Sequence, residues 1–219
     1  QLVNNNLFTF KSTYLTNDLK LSLHIGHFIN NLQEFDKWTR PAFDLTINQT
    51  QFSPNVRYKL DDFIINLGSQ LSILDNKNNQ DERLMPDAAS LNIGPYVTID
   101  YEGNNFGFNY GMRYDYKSIT SEDNYSNTDY DEQFSNTSFS SGIYFDLADH
   151  ILRLSYSGAY RAPHFSELFS EGVHHGTNRY ELGNENLNIE FSNQIDFKYQ
   201  WSNEHFGIVF NPFLQIISD

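Results

Sequence analysis

The segment Phe106-Gly107-Phe108-Asn109-Tyr110-Gly111-Met112-Arg113-Tyr114-Asp115-Tyr116-Lys117 alternates without a break between large apolar or aromatic residues and small or polar ones. In an extended chain successive side chains point to opposite faces. Phe106, Phe108, Tyr110, Met112, Tyr114 and Tyr116 therefore share one face, and Gly107, Asn109, Gly111, Arg113, Asp115 and Lys117 share the other. The period of two predicts a strand with one apolar side and one polar side.

The same pattern recurs downstream. Between Ile151 and Arg161, Leu152, Leu154, Tyr156 and Tyr160 oppose Arg153, Ser155, Ser157 and Arg161. Between Phe191 and Trp201, Ile195, Phe197, Tyr199 and Trp201 oppose Ser192, Gln194, Asp196, Lys198 and Gln200. Further strands are predicted near 7–15, 19–33, 43–60, 62–75, 91–102, 134–147 and 205–218. The whole chain, 1–219, reads as one all-β domain of about ten antiparallel strands.

Composition points to where such strands are used. Hydrophobic residues make up only 39% of the chain while aromatics reach 16%, with 19 Phe and 14 Tyr. A lipid-facing barrel wall needs only alternate residues apolar and adds Tyr, Trp and Phe at the membrane interfaces. A mean hydropathy of -0.56 is compatible with that location. No stretch approaches the roughly 20 apolar residues of a membrane helix. A soluble β-sandwich is the bland alternative, but sandwiches rarely place so many Tyr and Phe on one face with polar residues filling the other.

Connection lengths alternate between short and long in the second half of the chain. Glu102-Gly103-Asn104-Asn105, Ala148-Asp149-His150 and Ser202-Asn203-Glu204 are short turns, as are Thr16-Asn17-Asp18 and Leu60-Asp61-Asp62 upstream. Long polar connections are expected at about 76–89, 118–133 and 163–190. Outer-membrane barrels have short periplasmic turns and long extracellular loops, so the alternation assigns sidedness. Strands near 105–117, 150–161 and 205–218 run outward. A first strand without a cap and a last one without a following turn lead us to expect that further strands of the barrel lie outside these residues.

A net charge of -14, from 14 Lys+Arg against 28 Asp+Glu, makes nucleic acid a poor partner. Zero Cys removes disulfides, thiolate metal sites and Cys nucleophiles. No Gly-x-Ser-x-Gly elbow, His-Glu-x-x-His pair or phosphate-binding Gly loop is present, so an enzyme is not expected.

The most informative motif is Tyr160-Arg161-Ala162-Pro163-His164-Phe165-Ser166-Glu167-Leu168-Phe169, followed by Gly172-Val173-His174-His175-Gly176-Thr177 and Gly183-Asn184-Glu185-Asn186-Leu187 with Glu190. Arg83-Leu84-Met85-Pro86-Asp87, Gly111-Met112-Arg113-Tyr114-Asp115 and Gln33-Glu34-Phe35-Asp36 accompany it. In their order along the chain they resemble the blocks of TonB-dependent outer-membrane receptors: an Arg-Ala-Pro strand end, a Glu-Leu-Phe turn, and a Gly-Asn-Pro-x-Leu-x-x-Glu re-entry. Here Glu185 stands for the family's Pro, and Asn188-Ile189 for its Lys-Pro.

The resemblance implies a barrel of about 22 strands around an N-terminal plug absent from these residues, in the outer membrane of a Gram-negative bacterium. It implies lipid, plug, TonB and a small-molecule or metal cargo as partners, and no resident cofactor. Iron complexes are the commonest cargo of the family, and the His-His pair is similar to zinc-uptake members.

His164, Glu167, Glu171, His174, His175 and Glu181 are concentrated in one predicted external loop, and imidazole with carboxylate suits zinc. Solvated loop residues are the alternative, since adjacent strand residues such as His174 and His175 point apart. Arg113 and Arg161, on the polar face, are expected to project into the lumen and pair with acids of a plug or a neighbouring strand. A passive pore or adhesin on the same wall, and a soluble β-structured binding module, are the competing classes.

Overall fold

The computed structural model describes residues 1–35, 41, 43–80, 84–123, 128–174 and 179–218, with backbone alone at 122, 123, 128 and 174. Strands β1 (Leu2–Leu15), β2 (Leu19–Glu34), β3 (Phe43–Leu60), β4 (Phe63–Asn78), β5 (Asp87–Glu102), β6 (Phe106–Asp123), β7 (Thr128–Leu147) and β8 (His150–Arg161) follow one another. Helix α1 (Phe165–Phe169) and a small hairpin, β9 (Glu171–His174) with β10 (Arg179–Leu182), come next. The chain closes with β11 (Glu190–Ser202), β12 (Gly207–Phe210) and β13 (Phe213–Ser218).

Eleven of these strands form one antiparallel sheet in the order β1-β2-β3-β4-β5-β6-β7-β8-β11-β12, with β13 also on β11. Neighbours in sequence are neighbours in space, as the short turns require. Leu60 pairs with Phe63 and Leu147 with His150, which leaves two-residue turns whose first residues, Asp61 and Ala148, have φ of 51° and 54°. The last segment is one strand in register but two in hydrogen bonding. Tyr199 pairs with Phe210 and Asp196 with Phe213, and Pro212 between them has no N–H to give the ladder.

The long connections are shorter than their polar composition suggests. β6 and β7 stay paired from Phe106↔Phe145 out to Asp123↔Thr128, so most of the expected 118–133 loop is ladder, with 124–127 outside the described residues. Likewise β4 runs to Asn78 and β5 starts at Asp87. Strands of 16 to 20 residues exceed the roughly 9–11 that cross a membrane. Beyond it both faces are wet, the period of two is lost, and the backbone pairing continues.

The two faces of the sheet differ as the alternation of Phe106–Lys117 requires. Outward lie Phe108, Tyr110, Met112 and Tyr114 of β6 with Ile143, Leu154 and Ile195 of its neighbours, all exposed. Leu154 is 51% and Ile195 48% accessible. In water this face would be an uncovered apolar surface; against hydrocarbon it is matched. Near the short turns Phe63, Tyr101, Phe106 and Phe108 form a ring cluster with centroids 5.0 to 6.3 Å apart, placed as an interfacial aromatic girdle is.

Inward lie amides, hydroxyls and charges that bond along the wall. Gln49 donates to Ser72, Asn66 to Thr98, and Asn55 to the Tyr96 hydroxyl. Among the described residues, buried apolar side chains occur on this side only at the long-connection end. Phe165, Leu168 and Phe169 of α1 pack on Ala88 of β5 and Ile119 of β6, flanked by Leu74, Met85, Tyr130 and Phe134. Leu84 packs on Phe43 and Leu45 of β3. The external segments therefore fold inward over the wall, and the only fully buried large side chains among the described residues are Ile119 and Leu168.

Candidate functional site

The segment after β8 is fastened to the rim by a few directional bonds. Pro163 ends pairing at Arg161, and helix α1 starts at once with His164 as its N-cap. The His164 backbone N–H donates to Glu167 Oε2 at 2.8 Å. Its Nδ1 accepts the Ser166 N–H at 3.4 Å and lies 3.1 Å from Ser166 Oγ. A ring nitrogen can accept only when unprotonated, so this cap is a neutral imidazole with its proton on Nε2. Burial, and next the Lys117 ammonium, push the His164 pKa down from its ordinary value.

Glu167 closes the other half. Arg161 Nη1 donates to both of its carboxylate oxygens, at 2.9 and 2.7 Å, while Arg161 Nε donates to Glu190 Oε2 on β11 at 2.9 Å. The Arg161 guanidinium, then the His164 N–H, hold the Glu167 carboxyl below the usual carboxylate range. Lys117 Nζ donates to the Pro163 carbonyl at 2.7 Å. Lys117 of β6 and Arg161 of β8 thus hold the same short segment, and Glu190 of β11 holds Arg161.

The return path is held by backbone. Gly183 N donates to Ser170 O at 2.6 Å and Asn184 N to Glu167 O at 2.8 Å. A Cβ on Gly183 would lie 2.5 Å from Leu168 O and 2.7 Å from Phe169 N. Glycine is needed here for close approach to α1, not for a left-handed backbone. Leu187 N still reaches Asn184 O at 3.3 Å with Glu185 in the turn, and Asn186 N donates to Asn184 Oδ1 at 3.0 Å. Glu171 N donates to Leu84 O at 2.8 Å, tying this segment to the 79–86 connection.

The residues singled out in the sequence fall into three places. His164, Glu167 and Arg161 meet in the rim clasp. Glu171 and Glu181 lie on the β9–β10 hairpin, opposite Leu182 and Gly172, and the His174 backbone pairs with Arg179; His175 lies outside the described residues. Arg113 donates through Nε to Asp115 at 2.7 Å and through Nη1 to Gln70 at 2.8 Å. It shares with Lys117 and Arg161 an inward depression of about 370 Å³. Among the described residues no three His, Asp or Glu side chains converge on a metal position. His24 and His27 face opposite ways, His24 into the concave wall and His27 onto Thr50 at 2.9 Å. Sequence reasoning missed Lys117 as a loop anchor and α1 as a helix. The available signal was a cap position followed three residues later by Glu.

A meandering antiparallel sheet, apolar outside and polar inside, with its long connections folded over the inner rim, defines the wall of a transmembrane β-barrel. The family model for TonB dependent receptor-like β-barrels matches residues 2–217, and the chain belongs to that family. No curated protein sequence matches it. Solved structures that share the fold include the copper transporter OprC, 15% identical, TM-score 0.71, with 99% of this chain and 39% of that one covered. The FrpB iron transporter of Neisseria meningitidis is 13% identical, TM-score 0.70, with 99% and 37% covered. The Serratia marcescens hemophore receptor HasR, solved as a double mutant with its hemophore HasA and heme, is 11% identical, TM-score 0.67, with 96% and 39% covered. The chain thus spans about two fifths of the length of these structures.

Proposed function

We propose that residues 1–219 supply wall, lumen lining and external segments to an outer-membrane receptor of a Gram-negative bacterium that takes up a metal or metal complex, driven through TonB and gated by a plug. The family match over residues 2–217 is the observation that carries this reading. The described part of the 163–190 segment supports it: anchored to β6 and β8 over the inner rim, it is placed to meet cargo before the lumen. Structures of this fold are named as transporters or receptors for copper, iron and heme, and iron chelates and zinc are the cargo classes to try first.

Uptake of radiolabelled iron chelates and zinc by cells carrying the full-length protein, with and without TonB, tests the function. Uptake that depends on TonB is expected. Uptake that persists without TonB contradicts the reading and favours a passive pore. For zinc, the donors to test are His164, His174 and His175; His164 would bind it only by giving up its cap, because Nδ1 accepts the Ser166 N–H and Nε2 then carries the proton. Unchanged zinc affinity of the full-length protein after all three are replaced by Ala removes the zinc assignment and leaves the chelate one.

A further inference from the structure

We draw no further inference here: the strongest candidate, the exposed apolar face of the β9–β10 hairpin made by Val173, Tyr180 and Leu182, carries nothing because nothing among the described residues shows what covers it.

Discussion

The Arg161 guanidinium grips both carboxylate oxygens of Glu167 with one nitrogen, at 2.9 and 2.7 Å, and holds Glu190 across the β8–β11 ladder with another. One side chain thus couples the strand end, the helix it releases and the strand that returns. All three partners are half-exposed, which limits the energy. A double-mutant cycle with Arg161→Gln and Glu167→Gln should give a coupling of about 0.2–1 kcal/mol. The larger effect should be local: faster proteolytic nicking of the 163–190 segment with the barrel intact. A cycle with zero coupling and unchanged nicking contradicts the clasp.

Acid should loosen the same segment in two stages. His164 is held neutral in the fold, so its contribution is complete above its ordinary value of 6.5 and is lost as pH falls through the lowered folded value. Glu167 is also depressed, from 4.5, so its contribution disappears at still lower pH. Nicking of 163–190 should therefore rise as pH drops below 6.5. His164→Asn, which keeps a capping acceptor and does not titrate, should flatten that first stage. Equal pH profiles for parent and variant contradict the neutral-cap assignment.

Replacing Gly183 by Ala puts a methyl 2.5 Å from the Leu168 carbonyl, and backbone must move on one side or the other. A cost of about 1–3 kcal/mol is expected, read as lost protection of the amides of Gly183 and Asn184 in hydrogen exchange. Retained protection would mean that the two backbones are not in contact.

Lipid facing predicts an asymmetry between neighbours. Leu154→Arg, mid-strand on the outward face, should cost about 2–4 kcal/mol of stability in bilayers. Ser155→Arg, one residue on and facing inward, should cost far less. Comparable denaturant midpoints for the two variants would count against the outward face being lipid-exposed.

How much of this was legible in the sequence depends on where water lies. In the membrane the period of two is imposed by lipid on one side, so Phe106–Lys117 declared both strand and orientation. Past Lys117, β6 continues through Ser118, Ile119 and Thr120 with polar neighbours on both faces, and composition alone reads as loop. Ile119 was unreadable for a second reason: it is buried by α1, an element that arrives from 46 residues downstream at Phe165. Pro212 divides a strand without changing its register, which sequence patterning cannot separate from a turn. Arg161 and Glu190 were visible as motif residues, but their meeting with Glu167 depends on a five-residue helix too short to show a periodicity.

The central claim is that this sheet is a membrane wall with a lipid side and a lumen side. The chain has no Cys, so single cysteines can be placed from Phe106 to Lys117 in the full-length protein and labelled with an environment-sensitive fluorophore in vesicles containing a bilayer-borne quencher. The predicted result is strict alternation, with quenching at Phe108, Tyr110, Met112 and Tyr114 and little at Asn109, Gly111, Arg113 and Asp115. Uniform quenching, none at all, or quenching at the odd-numbered positions instead would contradict it.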